Sequence, residues 1–157
     1  MARWSDLQRE APEIAEAGRA LIYQYGVGLA FLATKRSDGG LRVHPFCPVV
    51  TDGGIFGLII ESPKRRDLAR NGTFAIHAFA PEDRDDEFML AGSSVRILED
   101  PAEIARVSEV YHAAGATSEG NEWTFEFLFD RAMLALYVKR EAGAYTPPRR
   151  LHWRAPQ

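Results

Sequence analysis

The stretch Glu61-Ser62-Pro63-Lys64-Arg65-Arg66-Asp67-Leu68 carries the most informative chemistry in the chain. Ser62 can cap a helix, Pro63 suits a first helical position and Gly72 suits the position after the end, so a short helix over 63–71 is predicted. Lys64, Arg65 and Arg66 then fall within the first turn of that helix. A helix start presents backbone N–H groups and partial positive charge, and nearby cations add charge-assisted hydrogen bonds. Such bonds contribute about 1.5–3 kcal/mol each when well formed. The combination suits a bound phosphate. It also suits a solvated basic helix face, with Asp67 neutralising part of the charge.

A second stretch, Leu41-Arg42-Val43-His44-Pro45-Phe46, reads as a strand with prolines at 45 and 48. Proline cannot donate to a β-ladder, so this strand is expected at an edge or a bulge, with backbone carbonyls free to meet a planar polar ring. Alternation puts Arg42 and His44 on one side and Val43 and Pro45 on the other. Taken alone, Arg42 and His44 read equally well as surface residues of an edge strand.

Elsewhere the chemistry is thinner. His44, His77, His112 and His152 show no ligand spacing, and no metal site is expected. Ser93-Ser94 lacks the nucleophile elbow and no catalytic triad can be assembled, so no catalytic residue is named. Cys47, the one cysteine, excludes an internal disulfide and reads as a small buried hydrophobe. Glu82, Asp83, Asp85 and Asp86 read as a solvated loop. Trp123, Phe125, Phe127 and Phe129 read as core and interface residues, with a spacing of two that also suits one strand face.

The elements that must position these residues follow from periodicity. Leu7, Ala11, Ile14, Gly18, Leu21 and Tyr25 share a helical face, giving a short turn capped near Ser5 and then a helix over about 12–25. Beyond Gly28 the texture becomes β-like. Strands are expected over 28–35, 41–51 and 55–60, joined by Ser37-Asp38-Gly39-Gly40 and Asp52-Gly53-Gly54 into an antiparallel meander. After the basic helix come strands over 73–79 and 87–98, the latter bent near Gly92. A helix then opens at Asp100-Pro101, with Glu103 reaching back to the cap and Ile104, Val107, Val110 and Tyr111 inward. Residues 132–139 are β-like, and an extended piece over 145–153 closes the chain. Antiparallel strands with sparse helices indicate an α+β fold, a curled antiparallel sheet of six to seven strands with a few flanking helices. No composition break or linker divides the chain, so one domain over 1–157 is expected.

On these residues the chain resembles the FMN-binding split β-barrel family related to pyridoxamine 5'-phosphate oxidase. The matching pattern is Ala30, Leu32-Ala33-Thr34, Arg36, Asp38-Gly39, Arg42, His44-Pro45, Asp52-Gly53-Gly54 and Ser62-Pro63-Lys64-Arg65-Arg66-Asp67-Leu68, within residues 26–100. The resemblance implies a barrel over about 28–139, a C-terminal extended segment over 145–154, and a homodimer with two cofactors at its interface. It further implies that the strand Arg42, Val43, His44, Pro45, Phe46 runs along the flavin ring. Ser62 and Lys64, assisted by Arg65 or Arg66, would hold the ribityl phosphate. The oxidase proper carries Arg where this chain has Pro63, and Lys at the position aligned with Cys47. Arg150-Leu151-His152 resembles the segment that grips pyridoxal phosphate in true oxidases. The other reading of that end is a closing strand, with Trp153 packed over the barrel mouth or stacked near the flavin edge.

Length and composition agree with such a reading. The 157 residues, 46% hydrophobic and 26% charged, suffice for a core of their own. A net charge of −3 gives no basic footprint for nucleic acid, and no apolar run is long enough for a membrane span. The N-terminus shows no apolar leader segment, so a cytoplasmic location is the default expectation. The leading expectation is an FMN-dependent oxidoreductase acting on an unidentified small molecule, with a nicotinamide as one conceivable reductant. Two alternatives stand beside it. The deazaflavin F420, with its polyanionic tail, would draw on Lys35, Arg36, Arg65 and Arg66. A carrier or sensor would bind flavin or haem without catalysis.

Overall fold

In a computed structural model of the chain, residues 1–138 and 146–156 are described. The order is α1 (Trp4–Glu10), α2 (Pro12–Ile22), β1 (Ala30–Lys35), β2 (Leu41–Phe46), β3 (Pro48–Val50), β4 (Ile55–Ile59), α3 (Pro63–Asn71), β5 (Phe74–Ala78) and β6 (Glu87–Gly92). It continues with β7 (Ser94–Ile97), α4 (Pro101–Ala113), β8 (Trp123–Leu128), β9 (Arg131–Leu136) and β10 (Arg149–Arg154). The strands form two antiparallel sheets, ordered β10-β9-β6-β5-β1-β2 and β3-β4-β8-β7. The described residues thus hold ten strands rather than six or seven. The expected barrel limit at 139 and the expected start of the closing segment at 145 lie outside the described residues.

The difference in number has a physical origin. The apolar run 41–51 is broken at Cys47: β2 ends one sheet and β3 begins the other. The run 87–98 is broken in the same way, with β6 in the larger sheet and β7 in the smaller. Gly92 makes the second crossing possible, since a Cβ there would lie 2.4 Å from the Leu128 carbonyl oxygen. Strand propensity does not reveal a change of sheet. The expected single meander is therefore two hairpins, β1–β2 and β3–β4, in different sheets.

The inner faces of the two sheets enclose the main core, built on Leu32, Ile76, Phe88, Leu90, Leu134, Phe125, Phe127 and Phe129. Trp4, Leu7, Ile14 and Ile22 of α1 and α2 close one side of it. The N-terminal segment forms two helices where one was expected. Pro12 starts the second, as its fixed φ allows, and Arg3 rather than Ser5 caps the first. A smaller cluster of Val49, Phe56, Leu98, Val107 and Tyr111 seats α4 on the other face of the four-stranded sheet. Val107 and Tyr111 point inward as expected, whereas Val110 is exposed and Glu103 pairs with Arg96 instead of reaching the cap. No described helix is long and apolar enough to cross a membrane.

Candidate functional site

β2 is the edge strand of the larger sheet, where its prolines are tolerated. Its side chains alternate as expected. Leu41, Val43 and Pro45 lie exposed on the outer face, while Arg42 and His44 are half-buried and Phe46 is buried against Phe127. α3 packs beside β1, and its Asp67 is the anchor that ties it to this edge. The buried Asp67 carboxylate accepts from Thr34 Oγ1 (3.0 Å), Arg42 Nε (3.0 Å) and Arg70 Nη2 (3.1 Å). Burial alone would raise its pKa, but these three donors outweigh it and hold the carboxyl below its ordinary 3.8. The two stretches singled out in the sequence are thereby neighbours.

The helix forms where predicted. Ser62 caps it, its oxygen accepting from Arg65 N at 3.4 Å, and Gly72 ends it in the left-handed region at φ 65°. Fewer backbone donors are free there than the sequence suggested. Pro63 has no N–H, Arg65 N is taken by the cap, and Arg66 N donates to the Ser62 carbonyl at 3.2 Å. The Lys64 N–H is the first-turn donor that remains.

The four cations of α3 differ in their partners. Arg70 joins Asp67, and Arg65 and Arg66 share Glu61, with Arg66 Nη1 at 2.5 Å from its carboxylate. Arg65 is only 9% exposed; its Nη1 donates to the Asn121 carbonyl at 3.3 Å and its guanidinium lies 4.6 Å over the Trp123 ring. Lys64 alone among them has no carboxylate within ion-pair distance among the described residues, although it is half-buried. Burial pushes its pKa below the usual lysine value. A half-buried ammonium without a counter-charge is unfavourable unless an anion arrives, so the residues present fit a phosphate group.

Cys47 is half-buried near Lys64, not a core residue, because the sheet crossing turns it toward Tyr111. Burial pushes its thiol up above the ordinary cysteine value, so it is protonated at neutral pH.

Trp153 is not part of this constellation. It lies on the inner side of β10, 8% exposed, edge-on to Phe129 at 5.8 Å with Nε1 donating to Glu10 at 3.1 Å. β10 is the opposite edge of the six-stranded sheet from β2, about 24 Å away at ordinary strand spacing. Its apolar environment places it in the core of its own chain. Trp123, expected in the core with the three Phe residues, instead stands half-exposed against Arg65, because β8 pairing sets it opposite Ile59 at the end of β4.

Sequence reasoning missed two partners of the site, Glu61 and Asn121. The four-residue step from Glu61 to Arg65 was a usable signal for the first; the second, 56 residues from Arg65, left none. A concavity of about 600 Å³ between α2 and α4 is lined mainly by Arg19, Ala20, Tyr23, Val110 and Ala113, away from α3.

Toward its β2 edge the outer face of the six-stranded sheet is apolar, and among the described residues no element covers it there. Leu41 (76% exposed), Val43 (61%) and Phe31 (42%) stand on it. Register continues the row from Phe31 through His77, Met89 and Met133 to His152, one residue per strand.

This arrangement of two antiparallel sheets with a few helices is similar to that of solved structures. One is a protein related to general stress protein 26 of B. subtilis (pyridoxinephosphate oxidase family) from Clostridium acetobutylicum. It matches 96% of this chain and 95% of its own at 14% identity and a TM-score of 0.58. The fold is the split β-barrel. The same split barrel matches a candidate 5-nitroimidazole antibiotic resistance protein from Bacteroides thetaiotaomicron (TM-score 0.61, 15% identity, 74% of this chain and 80% of that one). It also matches HutZ, a heme storage protein from Vibrio cholerae (TM-score 0.56, 17% identity, 76% and 89%). No protein-family profile and no curated protein matches the sequence. At these identities the likeness is one of split-barrel architecture, shared by proteins described as of the pyridoxinephosphate oxidase family and as a heme storage protein.

Proposed function

We propose that this split barrel is a flavin-dependent oxidoreductase-like protein that binds FMN at the interface of a homodimer. The carrying observation is Lys64, a half-buried ammonium without a carboxylate partner among the described residues, at the capped start of α3 beside the edge strand β2. In this reading Lys64, the Ser62 cap and the Arg66 guanidinium hold the ribityl phosphate. Arg42, fixed on Asp67, keeps β2 and α3 together so that the ring lies along the strand edge from Arg42 to Phe46. FMN when bound would supply the hydride chemistry; the chain's own residues bind it, orient it and shield it from water. The apolar outer sheet face supports the dimer, since an exposed patch containing Leu41, Val43 and Phe31 is costly to leave in water.

Spectra and mass of any small molecule that co-purifies test this reading. An absorbance near 450 nm with the mass of FMN is expected, and Lys64→Ala should weaken FMN binding by about tenfold or more. A band near 420 nm with blue fluorescence would assign F420 instead. Arg36 is already paired with Asp38, which leaves Lys35 as the cation of that neighbourhood for a longer anionic tail.

A second reading, a non-catalytic haem binder, is favoured by the His77–Met89–Met133–His152 row. His77 Nδ1 lies 2.7 Å from the Ala78 carbonyl and must donate there, which leaves Nε2 as a free ligand for iron on an apolar face. A Soret band that His77→Ala or His152→Ala abolishes would establish it in place of FMN.

A further inference from the structure

Arg65 and Arg66 already hold an anion, and it belongs to the chain itself. One oxygen of the Glu61 carboxylate accepts from Arg65 Nη2 and the other from Arg66 Nη1. The partners in this bridge are not equally fixed. Arg65 is buried and keeps two other contacts, the Asn121 carbonyl and the Trp123 ring, so its guanidinium stays in place whatever Glu61 does. The Glu61 side chain is 57% exposed and has no hydrogen bond among the described residues beyond these two arginines. The carboxylate is therefore the movable member. It offers two anionic oxygens to two guanidinium forks, the arrangement a phosphate monoester also satisfies.

We infer that Glu61 is an intramolecular stand-in for the ligand's phosphate, displaced when the phosphate binds. The inference rests on the proposed reading of α3 as a phosphate site and assigns a role to a residue that reading does not use. A monoanion that replaces Glu61 exchanges one negative charge for another. A phosphate monoester, close to −2 at neutral pH, replaces one charge by nearly two and also meets Lys64. Glu61 thus lowers the affinity of every anion that takes its place by the same factor, and the dianion is the ligand best able to overcome it. With Glu61 absent, both guanidiniums are left without that carboxylate and the penalty disappears.

The test is titration of the full chain and its Glu61→Gln variant with FMN and with riboflavin, which lacks the phosphate, at pH 7.5, alongside melting temperatures as a folding check. Glu61→Gln is expected to tighten FMN by about tenfold, the strength of one charge-assisted bond, and to leave riboflavin unchanged. Adding Arg66→Ala to Glu61→Gln should cancel the gain. FMN binding seen only in the variant would support the inference equally. Wild-type binding of FMN with no gain in the variant, or an equal gain for riboflavin, overturns the role of Glu61 and leaves the phosphate site standing. Absence of FMN binding in both proteins overturns the site reading and the inference together.

Discussion

Lys64 and its neighbours set the behaviour expected of single residues. Burial holds the Lys64 pKa below the ordinary lysine value of 10.5, so the ammonium loses its proton earlier in an alkaline titration than a surface lysine does. Only the charged form attracts a phosphate. FMN affinity should therefore be constant near neutrality and fall as pH rises through this lowered pKa, before 10.5 is reached. Lys64→Arg, which stays charged, should bind without that fall; a pH series of FMN dissociation constants decides it. Ser62 and Lys64 were legible in the sequence because capping and charge act within one turn. Trp123 was not, because it meets Arg65 only through the pairing of β4 with β8, and pattern within a strand says nothing about its cross-strand neighbour.

At the level of elements, the weak point of the site is the joint between an edge strand and a short helix. Asp67 is that joint, accepting from β1, β2 and its own helix at once. Asp67→Asn should destabilise the protein at pH 7 by roughly 3 kcal/mol, the usual cost of breaking a buried, hydrogen-bonded charge cluster. The sign with pH follows from its depressed pKa. The stabilisation is complete above the ordinary 3.8 and is lost as pH falls through the lower folded value, so the gap between wild type and variant should narrow in acid. Urea melts at pH 7 and pH 3 measure both. The helix itself was predicted to the residue, since Ser62, Pro63 and Gly72 each act locally. The prolines correctly announced an edge at β2, and a bend near Gly92 was read, but the change of sheet at Cys47 and between β6 and β7 was not. Strand-forming residues continue through both, and only the space available around Gly92 shows where the chain crosses.

For the molecule as a whole, the outer face of the six-stranded sheet decides what state it adopts. In the proposed dimer this face meets a second copy, and a charge at its most accessible edge should prevent that. Val43→Asp is expected to convert a dimer into a monomer on gel filtration, and to lose FMN with it while leaving the thermal melt of the monomer intact. A wild-type chain that elutes as a monomer would count against the shared site. The exchange of strands between sheets has its own consequence for how the molecule forms. β1, β2, β5, β6, β9 and β10 make one sheet and β3, β4, β7 and β8 the other, so the two are interleaved along the chain. No contiguous fragment contains one sheet without strands of the other, so neither sheet can form from a stretch of its own. The N-terminus closes a long loop as well, since Ala2 bridges Phe129 through hydrogen bonds of 2.8 and 3.1 Å. Folding is then slow and all-or-none, governed by the entropy of closing long loops rather than by local helix formation.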